Sequence, residues 1–173
     1  LRDVYYAEAL ALRALYNTYL VQYFDRPPLL LEVVSEAPYY IGNSEPEEFW
    51  SAIETDLLEA IPLLPDEVEP EWKGRVTKGA ARAFLGKAYL FQEKWTEARQ
   101  VFQDIIASNT YSLILPQGTD SLDYVYAYMC NFTYMDMVNP ANVDDPYPSE
   151  NNSESVFEIQ NNNDERQWNQ WLP

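Results

Sequence analysis

The sequence predicts a mainly α-helical fold, built from helix hairpins separated by long loop insertions, with one short strand near residues 155–160. Two observations carry that expectation. Several runs in the first two thirds of the chain repeat apolar residues at helical spacing between proline or capping boundaries. After about residue 113 the periodicity gives way to a stretch rich in Asn, Asp, Pro, Ser and Tyr, the composition of surface loops. At 173 residues with 47% apolar content, the chain has the size and core material of one domain. It divides into a helical scaffold over about 5–113 and a loop-rich segment over about 114–173.

The first helix is expected from Tyr5 to Phe24. Ala9, Leu12, Tyr16, Tyr19, Leu20 and Tyr23 recur along it, and Pro27-Pro28 stops it soon after. Residues 25–44 are a linker in which prolines and Gly42 punctuate short apolar runs. Ser44-Glu45-Pro46-Glu47 is a helix start: Ser44 can cap, Pro46 fits the first turn, and the glutamates favour the positive end of the helix dipole. That helix carries Phe49, Trp50, Ile53, Leu57, Ala60 and Ile61 until Pro62 and Pro65 end it. Thr77 opens a third helix running to about Gln92, and Thr96 a fourth running to about Ser108, with only a tight turn between them. One short helix is expected near Leu122–Met129, and the alternation in Ser155-Val156-Phe157-Glu158-Ile159-Gln160 suggests the strand.

The third and fourth helices match the spacing of a tetratricopeptide pair. Leu85-Gly86 with Tyr89 gives the L-G-x-x-Y of its first helix, and Ala98 with Phe102 gives the A-x-x-x-F of its second. Small Gly86 and Ala98 are expected where the helices touch, with Tyr89 and Phe102 filling the groove beside them. A weaker copy assigns the first-helix roles to Leu12 and Tyr16 and the second-helix roles to Ile53, Leu57 and Ala60, with the 25–44 linker inserted between. Trp50 and Trp95 are expected in the core with Tyr89 and Phe102.

Composition excludes several functions. With 11 basic and 28 acidic side chains the formal charge is −17, which repels a phosphate backbone, so no nucleic-acid partner is expected. Without histidine, Ser-His and Cys-His catalytic arrangements and histidine-based zinc sites are impossible. The single Cys130 cannot form an internal disulfide or complete a thiolate metal site. The acids Asp120, Asp123, Asp144, Asp145 and Glu150 lie in loops but without EF-hand spacing, so solvated loops are expected rather than a metal site. Seven of the basic residues fall between Lys73 and Arg99, and none between 100 and 165.

Four stretches, in order, resemble the SusD/RagB family. The signature is RVTKGAARAFLGKAYLFQEKWTEARQVFQDIIASNTYSL over 75–113; YAEALALRALYNTYLVQYFDRPPL, WSAIETDLLEAIPLLP and SESVFEIQ resemble its other conserved-looking segments. The family has Gly-Asp before the proline of the first stretch, where Phe24-Asp25-Arg26-Pro27 lacks the glycine. This resemblance implies a SusD-like fold and a lipoprotein on the outward face of a Bacteroidetes outer membrane. It implies non-catalytic binding of glycans or other nutrients, for import through a SusC-like TonB-dependent transporter, with no cofactor. The chain opens on Leu1-Arg2-Asp3-Val4 and closes on Trp171-Leu172-Pro173, which reads as an internal piece of a longer protein. The membrane would then be met only through an N-terminal lipid anchor upstream of this piece.

Sugar rings offer flat C–H faces that stack on aromatics and hydroxyls that bond to amides, carboxylates and guanidinium groups. Tyr and Trp suit such half-wet surfaces, and 15% of the chain is aromatic. The candidate ligand-binding residues are therefore Tyr39, Tyr40, Asn43, Trp72, Arg166, Trp168, Asn169 and Trp171. A protein-interaction scaffold without small-ligand binding is the alternative, since tetratricopeptide arrays hold peptides. Glycosidase chemistry needs two carboxylates flanking a bond, and chance pairs such as Asp144-Asp145 carry no supporting motif, so no catalytic residue is assigned.

Overall fold

A computed structural model describes residues 1–32, 41–69, 72–116, 118–119, 121–129 and 152–157. Among these, five α-helices follow in order: α1 (Arg2–Phe24), α2 (Pro46–Ala60), α3 (Lys78–Phe91), α4 (Trp95–Ala107) and α5 (Ser121–Met129). A single 3-10 turn, Ile61–Leu63, extends α2. The fold is helical, and all five helices lie within about three residues of the expected boundaries.

Helix α2 is the centre of the core. Phe49, Ile53, Leu57 and Ala60 recur every three or four residues on one face, and all four are fully buried. Burying each of the three larger side chains contributes about 1.5–3 kcal/mol. α1 runs antiparallel to α2. Tyr6 Oη donates to Glu59 at 2.9 Å near one end, and Arg13 grips Asp56 with two bonds of 2.6 and 2.7 Å one turn further along. A third donor of Arg13 reaches Leu31 O at 2.6 Å and ties the linker to the helix pair. The start of α2 differs in detail from the expectation. Ser44 gives its backbone N–H to Pro27 O, and Glu45 takes the cap, forming a capping box with Glu48.

α1 turns the other face to the core. Ala7, Leu10, Ala11, Ala14 and Val21 are buried, whereas Tyr16 (64% exposed), Tyr19, Leu20 and Tyr23 face outward and Ala9 is exposed too. Leu12 only borders the core. Both stripes are apolar enough to satisfy a periodicity test, so the pattern alone cannot choose between them. Packing chooses: Ala7, Ala11 and Ala14 let the α2 backbone approach closely, which a row of tyrosines would prevent.

α3 and α4 form a tight hairpin, and here the expected contacts are present. Ala98 is buried, and a Cβ added at Gly86 would lie 2.6 Å from the Phe102 ring, so the ring occupies the space the glycine leaves. The turn closes with Gln92 and Lys94 both donating backbone N–H to Tyr89 O, while Glu93 adopts φ 59°, an unusual left-handed value for a side chain with a Cβ. Trp95 does not join the core: at the first position of α4 it is 61% exposed, because only Ala98, Val101 and Phe102 of this helix face α3. Trp50 is half-buried at the core's edge.

The strand expected near 155–160 is absent from its described part. Asn152 Oδ1 accepts from Glu154 N at 2.9 Å and Ser155 N at 3.0 Å, an Asx turn that curls the chain instead of extending it. Residues 158–160 lie outside the described residues. Phe157 nonetheless docks edge-on against Phe84, with centroids 5.3 Å apart at 83°.

Candidate ligand-binding site

The connection between α2 and α3 folds back over the start of α1. Leu64 and Val76 anchor it in the core, and Lys78 N donates to Pro65 O at 2.8 Å. Between those anchors the signature residues each take a structural partner. Arg75 Nε donates to Glu8 Oε1 at 2.7 Å and its Nη2 to Glu8 Oε2. Thr77 Oγ1 accepts from Ala80 N at 3.2 Å, capping α3, and lies 3.1 Å from Tyr111 Oη. Lys78 pairs with Asp66 at 3.0 Å. The Tyr111 ring lies over Gly79, where a Cβ would come within 2.3 Å of its hydroxyl oxygen.

Arg75 is the hub. Its guanidinium carbon is 4.7 Å from the Tyr5 ring centroid and 5.2 Å from that of Trp72, so a cation pairs with two rings and a carboxylate together. The Glu8 hydrogen bonds, followed by the attraction of its charge, hold the Arg75 pKa above the ordinary value for arginine; partial burial opposes them. Glu8 is a lone carboxylate on the buried face of α1, and Arg75 is the partner that makes its position tolerable.

Two shallow hollows meet at this hub. One, of about 190 Å³, is bordered by Tyr5, Glu8, Trp72 and Arg75; the other, of about 230 Å³, by Lys73, Arg75, Thr77, Tyr111 and Ser153. Trp72 is half exposed at 51%. The combination of a ring edge, hydroxyls, a fixed cation and nearby carboxylates can hold a small polar ligand with apolar faces. Among the described residues no group of three or more His, Cys, Asp or Glu side chains is arranged to hold a metal ion.

Of the eight residues proposed from the sequence, Trp72 lies in this region. Asn43 is exposed just before α2, whereas Trp72 borders the end of α2 and the start of α1, so the length of α2, about 22 Å, separates them. Tyr39, Tyr40, Arg166, Trp168, Asn169 and Trp171 lie outside the described residues. Tyr5, Glu8 and Arg75 escaped the sequence reading. A glutamate inside an Ala/Leu stripe was the available signal, since a buried carboxylate demands a cation.

A family model described as starch-binding and associating with the outer membrane, of SusD-like type, matches residues 2–90, just over half of the chain. No curated protein matches it. Among solved structures, a SusD superfamily protein from Bacteroides vulgatus is 28% identical with a TM-score of 0.71, over 91% of this chain and 29% of that one. A laminarin-binding SusD-like protein is 35% identical with a TM-score of 0.62, over 87% of this chain and 29% of its own. A SusD-like carbohydrate-binding protein from Bacteroides fragilis is 27% identical with a TM-score of 0.61, over 64% and 22%. The chain spans less than a third of the length of each. The helical fold, the order of its helices and the family match agree, and the chain belongs to the SusD-like family.

Proposed function

We propose that this chain is the helical scaffold part of a non-catalytic glycan-binding protein of an outer membrane, forming a single domain with the rest of its sequence. The observation that carries the reading is the half-exposed Trp72 held against Arg75, itself paired with Glu8, in a chain 35% identical to a laminarin-binding protein. The described aromatic, hydroxyl and charged groups are those that recognise sugars, and the family description adds starch binding and outer-membrane association. By the family resemblance, the bound glycan is passed to a SusC-like TonB-dependent transporter, and a lipid anchor holds the protein outward.

Calorimetric titration of the intact protein with laminarin- and starch-derived oligosaccharides tests this. Trp72→Ala is expected to weaken binding about tenfold, the loss of one ring contact, without lowering the melting temperature. Binding heat absent for every oligosaccharide would overturn the glycan reading.

A second reading, a scaffold that holds a protein partner, draws on the exposed Tyr16, Tyr19 and Tyr23 of α1. Selective peptide binding by a protein indifferent to sugars would favour it.

A further inference from the structure

A second sugar-compatible cavity lies at the other end of α2, where the sequence suggested only core packing. It has a volume of about 500 Å³ and is lined by Glu47, Trp50, Ser51, Glu54, Gln92 and Lys94. That size falls within the usual range for small-molecule sites. Its one aromatic wall is Trp50. Phe91 stacks nearly parallel to that indole, at 12° with centroids 6.1 Å apart, and does not itself line the cavity. One ring therefore backs the other.

The polar wall is pre-arranged. Lys94 Nζ pairs with Glu54 and stands 5.6 Å from the Tyr89 ring centroid, which limits its freedom. Gln92 donates from Nε2 to Ala88 O at 3.1 Å, fixing its amide. Both residues belong to the turn whose N–H groups converge on Tyr89 O. Groups held in place before a ligand arrives lose less entropy on binding it. The ionisable lining is Glu47, Glu54 and Lys94, which sums to a small negative charge and disfavours anionic sugars.

The geometry points to a pyranose-binding subsite for neutral glycans on Trp50, with hydroxyls bonded by Glu54, Gln92 and Lys94. It is distinct from the Arg75 hub: Arg75 precedes α3 and Gln92 and Lys94 follow it, so the length of α3, about 21 Å, lies between them. This inference rests on the glycan reading above and adds a location to it.

The test uses the intact protein with its tryptophans, five of them in this chain, labelled as 5-fluorotryptophan, the Trp50 signal being assigned by its loss in Trp50→Phe. Laminarihexaose, maltohexaose and xylohexaose are titrated in turn, alongside calorimetry. The Trp50 resonance is expected to shift with at least one of them. Gln92→Ala is expected to weaken that titration about fivefold, as for one lost hydrogen bond, at unchanged melting temperature. If a sugar binds and moves other tryptophan signals while Trp50 stays still, and Trp50→Phe and Gln92→Ala bind as the parent does, the subsite is refuted and the glycan reading stands. If none of the three binds in either assay, the subsite and the glycan reading fall together.

Discussion

Gly86 shows how much a single side chain, or its absence, decides. Helix propensity favours alanine there by about 1 kcal/mol, yet the Phe102 ring fills the space a methyl would take. Overpacking of this kind costs about 1–3 kcal/mol, so Gly86→Ala is expected to be net destabilising by about 1 kcal/mol in thermal or urea unfolding. In a Phe102→Ala background the same change should become neutral or stabilising, because the ring it collides with is gone. Additive effects in that cycle would show that the contact does not exist. This pairing was legible in the sequence, since small and large residues at fixed offsets encode it. Trp95 was not. A large ring beside a tight hairpin was expected in the core, but a residue on the first turn of a helix faces whichever way the hairpin crosses, and only the packed structure fixes that.

At the scale of the element, α1 is the instructive case, because its existence was legible while its buried face was not. A helix with apolar residues around most of its circumference gives no clear amphipathic stripe, and size complementarity with α2 then selects the alanine face. The consequence is measurable. Tyr16→Ser and Tyr23→Ser are expected to change stability by no more than about 0.5 kcal/mol, as solvent-facing substitutions do. Ala11→Leu, a much more conservative change on paper, should cost about 1–3 kcal/mol by forcing α1 off α2. Denaturant midpoints for the three variants distinguish the faces, and a large loss in the tyrosine variants would reverse the assignment. The start of α2 is a smaller instance. Ser and Glu both accept hydrogen bonds; the helix takes Glu45 as cap, answered by Glu48 in a capping box, while Ser44 N–H bonds across the linker to Pro27 O. That long-range partner cannot be seen in a local motif.

The whole molecule carries 28 acids against 11 bases, and the described ion pairs Arg13–Asp56, Arg26–Glu45, Arg75–Glu8, Lys78–Asp66 and Lys94–Glu54 neutralise only some of them. The surplus negative charge repels itself in the compact state. Raising ionic strength from 0.01 to 0.15 M shortens the screening length from about 30 to about 8 Å. The melting temperature is therefore expected to rise by a few degrees over that range in scanning calorimetry. A fall would mean that the five ion pairs outweigh the general repulsion. Charge was fully legible in the sequence; its spatial pairing was not, because Glu8 and Arg75 are 67 residues apart. The candidate site shared that fate. Trp72 stood out by its residue type, while its partners came from a distant helix. The signature from Arg75 to Gly79 has a further consequence. Its long side chains are spent on pairing, capping and covering, each engaged with another part of the scaffold. A stretch so occupied works as a chassis mark: it declares which framework a chain is built on, and with Arg75 tied to Glu8 it offers a ligand a fixed wall, while the half-exposed Trp72 beside it stays free to vary. Redesign of the hub would therefore begin at Trp72 and keep the Arg75–Glu8 pair as the wall it works against.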